Sequence, residues 1–165
     1  MTHKFSILSI LVIVILIASC QTSKQTYTYS NDNWFNMAIA EDVEIYVDTT
    51  SIRRDGSVVY ACEKRIFLTP ESKATYTDKI KKVYEKMGKV EKADKWNDFS
   101  YCIYYSLYDC TNKRFRTIWI EDYDSTGKRI VKTVTPKSKI DEWMNVNTET
   151  VGDYTFFYIC DYDNQ

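Results

Sequence analysis

Apolar residues are distributed along this chain in three ways, and each predicts a different structure. Near the start, Ile10 to Ala18 form one unbroken apolar run that stops just before Cys20. Residues 21–33, QTSKQTYTYSNDN, are polar and aperiodic and read as a tether. Beyond them, tyrosines and β-branched residues gather in short runs between turn residues, the pattern of strands. NWFNMAI (33–39) and VEIYVD (43–48) predict two short strands. After the Asp55-Gly56 turn, residues 57–68 predict a longer one. FSYCIYYSLYD (99–109), RFRTIWIEDY (114–123) and GKRIVKTVT (127–135) predict three more, separated by turns at 111–113 and 124–126. These last four strands form an antiparallel meander, and the order of the two short strands stays open.

Between residues 69 and 98 the period changes to a helical one. Thr69 caps the start, and Pro70 fits the first helical position because its missing N–H costs nothing there. Tyr76, Ile80, Val83, Tyr84 and Met87 recur at helical spacing and define an apolar face, with Gly88 as the stop. The final segment, TETVGDYTFFYICDYDNQ, supports two assignments. Its aromatic and β-branched residues favour a strand. Thr150 with Asp153 resembles a capping box, and Val151, Tyr154 and Tyr158 share a helical face.

The first apolar run is too short to span a bilayer, which takes about 20 apolar residues. A weakly basic start (His3, Lys4), a short apolar core and small residues before a cut site mark a secretory signal peptide. Ile17-Ala18-Ser19-Cys20 resembles a bacterial lipobox, in which the cysteine sulfur is acylated and becomes the new N-terminus. Residues 1–19 are therefore expected to be a lipoprotein signal peptide, Cys20 the lipidation site, 20–33 the tether and 34–165 one domain. The partner implied is a membrane, reached through the lipid anchor. The expected location is the bacterial cell envelope, as an outer-membrane lipoprotein facing either the periplasm or the surface.

Composition narrows the chemistry. Removing residues 1–20 leaves 21 Lys and Arg against 23 Asp and Glu, a formal charge of −2. That gives no reason to expect a nucleic-acid partner. The only histidine is His3, in the segment expected to be removed. Ser-His-Asp and Cys-His catalysis and His-ligated zinc are thereby excluded from the mature domain. The scattered glycines offer no phosphate-cradling loop. DYDSTG (122–127) looks like the start of a calcium loop, but Thr133 stands where a bidentate glutamate is required, so a hairpin turn is expected. Neither a metal nor a cofactor is implied. Catalysis by carboxylates stays open, and the expectation is no enzyme.

Four cysteines remain after Cys20, and in an exported protein an even count suggests disulfides, with three pairings open. Candidate binding residues fall in two groups of cations and one of aromatics. Lys79, Lys81, Lys82 and Lys86 flank the apolar face of the predicted helix and suit an anionic lipid or polysaccharide, or solvent alone. Arg53, Arg54, Lys113, Arg114 and Arg116 cluster near strand ends and suit an acidic partner, or a solvated rim. Tyr104, Tyr108 and Trp119 offer an aromatic surface, unless they are core.

Residues 34–160 resemble the surface-adhesin protein E family of bacterial lipoproteins. The resemblance rests on YVDTTSIRRDG (46–56), SLYDCTNKRFRTIWIEDYDSTGK (106–128) and WMNVNTETVGDYTFFYIC (143–160). Asn147 replaces a family proline, and the helix over 70–88 looks like an insertion. The resemblance implies an α+β fold: a single antiparallel sheet of about six strands, with a C-terminal helix packed on one face and a helical insertion. It tips the last segment to helix and implies a Cys110–Cys160 disulfide. Cys62 and Cys102 are left over. If strands 57–68 and 99–109 pair with Phe67 near Asp98, these two lie opposite or diagonal, as a second bridge or as adjacent thiols. The resemblance implies no catalytic residue. It implies binding of extracellular-matrix or other envelope proteins, as an adhesin, and a homodimer.

Overall fold

The computed structural model describes residues 33–162, so the signal segment, Cys20 and most of the tether lie outside the described residues. Six strands follow one another as a meander: β1 (Trp34–Ile39), β2 (Val43–Asp55), β3 (Val58–Phe67), β4 (Phe99–Asp109), β5 (Arg114–Asp124) and β6 (Arg129–Val134). Each is antiparallel to the one before it. A two-residue strand, β7 (Met144–Asn145), pairs with the start of β5 beyond the end of β6. The two short strands therefore extend the meander in sequence order.

Strand β2 runs further than its apolar pattern predicts because it carries an irregularity between Asp48 and Arg53. There the Asp48 carboxylate accepts hydrogen bonds from the Thr50 N–H (2.9 Å) and hydroxyl (2.6 Å). The Ser51 hydroxyl accepts from the Cys62 N–H at 2.7 Å. Side chains thus satisfy backbone groups that the ladder loses, and the strand continues through Arg53 and Arg54.

Helix α1 (Pro70–Lys86) is the insertion between β3 and β4. Thr69 and Ser72 form a reciprocal capping box, and Pro70 opens the first turn. At the other end Gly88 takes a φ of 65°, which lets its N–H reach Glu85 O and the Lys89 N–H reach Tyr84 O. The buried face is narrower than the periodicity predicts. Tyr76, Ile80 and Tyr84 pack on Phe67, Phe99 and Trp96, whereas Val83 and Met87 stay exposed. A 3-10 turn at Val90–Trp96 delivers Trp96 into that cluster.

Helix α2 (Val151–Asp161) settles the ambiguous ending as a helix, with the Thr150 hydroxyl accepting from the Asp153 N–H. It buries Thr155, Phe156, Ile159 and Cys160. Of the predicted face, Tyr154 instead points to solvent. Both helices lie on the same face of the sheet. α2 covers Val47, Val59, Ala61 and Tyr108, and α1 covers the end near Phe67 and Cys102. On the other face Cys62, Ile103, Tyr105, Trp119 and Tyr123 form a third cluster.

The Cys110–Cys160 disulfide is present, with α-carbons 5.7 Å apart, and staples α2 to the end of β4. The second pairing does not form, and Cys62 and Cys102 are buried free thiols. The actual register sets Cys62 across from Tyr105 and Cys102 across from Arg65. That offset is an odd number of residues, so the two side chains point to opposite faces. The aromatic surface is corrected too. Tyr108 and Trp119 are core, and Tyr104 packs in the cluster beneath α1.

Candidate binding surface

The same alternation that separates the cysteines breaks up the predicted arginine cluster. Arg53 and Arg54 are neighbours on β2 and so project to opposite faces. Arg53 donates to the Tyr105 hydroxyl at 2.8 Å and lies over the Tyr60 ring. Arg54 reaches the helix-bearing face and donates to the Cys160 carbonyl at the end of α2. Arg114 pairs with Asp109 at 2.9 Å, and Arg116 with Asp141 at 3.1 Å. The guanidinium groups of Arg114 and Arg116 lie 4.7 and 4.8 Å from the centre of the Trp143 ring. All four arginines brace the fold. None stands as a loose charge waiting for an acidic partner.

The helix lysines differ. Lys79, Lys82 and Lys86 are exposed along α1, and Lys81 is half-buried. Glu71, Asp78 and Glu85 lie on the same helix and temper the positive charge. The face is basic but diluted.

Carboxylate chemistry can be tested against geometry. Glu121 and Asp122 are adjacent and buried but sit on opposite faces of β5. Glu121 pairs with Arg129 (2.8 Å) and Lys132 (3.1 Å), and accepts from the Tyr123 hydroxyl. Asp122 accepts from the Tyr76 hydroxyl at 2.7 Å and from the Trp96 indole N–H at 2.8 Å. Burial pushes its carboxyl above the ordinary range despite those two donors. Glu63 accepts from the Tyr108 hydroxyl and meets Arg65 at 3.4 Å. Asp109 accepts from the Asn112 side-chain amide and from Arg114, which hold its carboxyl below the ordinary range. Glu63, Asp109, Glu121 and Asp122 thus each accept from side chains that hold the sheet and the insertion together. Among the described residues no group of three or more His, Cys, Asp or Glu is placed to hold a metal ion.

What the sequence reading missed is a rank of aromatics on the outer side of α2. Tyr154, Phe157 and Tyr158 stand three and four residues apart, and so line one helical face. Tyr154 is 67% exposed and Phe157 49%. Phe35 of β1, 50% exposed, stacks on Tyr158 with ring centres 4.9 Å apart. The Lys113 ammonium lies 4.9 Å over the Phe157 ring and pairs with Asp153 at 2.8 Å. The sequence places Tyr154 and Tyr158 on one helical face but does not show that this face turns outward, because aromatic composition fits core and surface alike. Exposed aromatics gathered in this way mark a contact surface more often than scattered ones do.

Comparison with known proteins gives one family and one set of structures. The family that matches is surface-adhesin protein E, over residues 34–161. Crystal form II of Haemophilus influenzae protein E is 13% identical, covers 84% of this chain and 95% of that chain, and has a TM-score of 0.49. Protein E from non-typeable Haemophilus influenzae is 13% identical over 84% of this chain and 82% of that chain, with a TM-score of 0.45. A selenomethionine form of Haemophilus influenzae protein E is 15% identical over 81% of this chain and 90% of that chain, with a TM-score of 0.46. No curated protein matches the chain.

Proposed function

Since the chain belongs to the surface-adhesin protein E family, we propose that it is a lipid-anchored envelope protein that works by adhesion rather than catalysis. Acylation at Cys20 holds it at the outer membrane, and residues 21–33 space the domain from the lipid. Several acyl chains together anchor firmly because each buried methylene contributes about 0.8 kcal/mol. Among the described residues no helix is long and apolar enough to cross a membrane.

The observation that carries the reading is the aromatic rank of Tyr154, Phe157, Tyr158 and Phe35. Aromatic anchors supply much of the binding energy at protein interfaces, since they bury large areas with few torsions to freeze. The Cys110–Cys160 bridge and the Arg54 bond to the Cys160 carbonyl hold α2 firmly, so the rank is pre-organised. Its partner is an extracellular-matrix or other envelope protein. The committed state of the buried carboxylates speaks against the enzyme alternative.

Adhesion of intact cells to a surface coated with extracellular-matrix protein tests the reading. Cells carrying the full chain should adhere, and Tyr154→Ser with Phe157→Ser should reduce adhesion about tenfold. Unchanged adhesion would remove the rank from the account. Protease shaving of intact cells separates this reading from a periplasm-facing structural or assembly lipoprotein, which shaving would spare.

A further inference from the structure

A cleft of about 310 Å³ opens where α1 leans over β2, β3 and β4. It is separate from the aromatic rank, and no residue of α2 lines it. Its apolar walls include Ile45 of β2 and Phe67 of β3. Arg65 of β3 forms part of its lining, flanked by Tyr104 of β4, whose ring centre is 4.6 Å from the guanidinium carbon. Lys79 contributes a second cation from α1, against a single acid, Asp42.

Arg65 is short of partners. Its one carboxylate contact, to Glu63, is long at 3.4 Å, and Glu63 also accepts from Tyr108. The Arg65 Nε is buried and has no hydrogen-bond partner among the described residues. The Arg65 side chain nonetheless keeps 35% of its surface exposed and lines the cleft, so a ligand meets its outer N–H groups. Guanidinium presents its N–H groups as a planar fork that suits both oxygens of a carboxylate. Tyr104 packs its ring against that guanidinium. A ligand body would rest on Ile45 and Phe67 while Lys79 closes over its charge.

We infer that this cleft binds a small organic carboxylate with an apolar body, held by Arg65 and Lys79. The volume lies at the lower end of the range for small-molecule sites, which favours a ligand of one ring or a short chain. Because α1 supplies one wall, occupancy also ties the helical insertion to the sheet.

Fluorine NMR of the full chain in detergent, titrated with 4-fluorophenylacetate, tests the inference. The expected result is a saturable shift below about 10 mM, with the neutral amide, 4-fluorophenylacetamide, binding about tenfold more weakly. Micelles favour the amide, so they cannot mimic that preference. Arg65→Gln should weaken binding of the acid about tenfold and leave the amide unchanged. If Arg65→Gln fails to fold, the exposed Lys79→Glu decides: it should weaken the acid several-fold and spare the amide. No saturable shift, equal binding of acid and amide, or indifference to both variants would overturn the site.

Discussion

Cys62 and Cys102 lie on paired strands, yet their side chains project to opposite faces of the sheet, one across from Tyr105 and the other across from Arg65. Each thiol is buried, and burial pushes Cys62 far up and Cys102 up to about 12. Both are therefore protonated and shielded under ordinary conditions. Ellman's reagent at pH 8 should find no reactive thiol in the folded mature chain and two after denaturation. Non-reducing peptide maps should show Cys110 joined to Cys160 and no other bridge. A Cys62–Cys102 peptide from folded protein would contradict the register.

The Cys110–Cys160 bridge closes a loop of 50 residues and holds α2 on the sheet. Cys110→Ser with Cys160→Ser should lower stability by about 3–4 kcal/mol, read from denaturant unfolding with a slope that rises as the unfolded chain loses its cross-link. Because α2 carries the aromatic rank, adhesion should fall in the same variant. A stability loss without an adhesion loss would separate the rank from the binding surface.

Asp122 ties the insertion to the sheet through Tyr76 and Trp96. Asp122→Ala strands two buried donors and should cost about 2–4 kcal/mol, whereas Asp122→Asn keeps one acceptor and should cost less. The pH dependence has a definite sign. The folded carboxyl is raised by burial, so the folded state holds this proton more readily than the unfolded chain does. That contribution is complete below the ordinary carboxylate value and is lost as pH rises through the raised folded value. Wild-type stability minus that of Asp122→Asn should thus shrink between about pH 4 and neutrality. A difference that grows over that range would reverse the assignment.

Anchoring is tested at Cys20. Cys20→Ala should stop incorporation of labelled palmitate and either release the protein from the membrane fraction or leave it uncleaved. Unchanged labelling would exclude the lipoprotein reading.

The sheet was legible because its strands announce themselves by composition and by turns at Gly56 and the 111–113 segment. The insertion was legible through its caps, Thr69 and Gly88. Its full face was not, because tertiary packing buries only Tyr76, Ile80 and Tyr84 and leaves Val83 and Met87 outside. The fate of Cys62 and Cys102 depended on a register that no local signal sets, and a shift of one residue exchanges faces. The same parity scattered Arg53 and Arg54. The cleft at Arg65 and the rank on α2 both require tertiary structure. Each joins residues from separate elements, and aromatic composition alone does not tell core from surface.

In the proposed function, α2 presents the contact surface. Photo-crosslinking in living cells tests it directly, with benzoylphenylalanine placed singly at position 154, 157 or 86. Tyr154 and Phe157 belong to the rank, whereas Lys86 is exposed on α1. A crosslinked adduct of one partner is expected from positions 154 and 157 and none from 86. Adducts from position 86 alone, or none from 154 and 157, would contradict it.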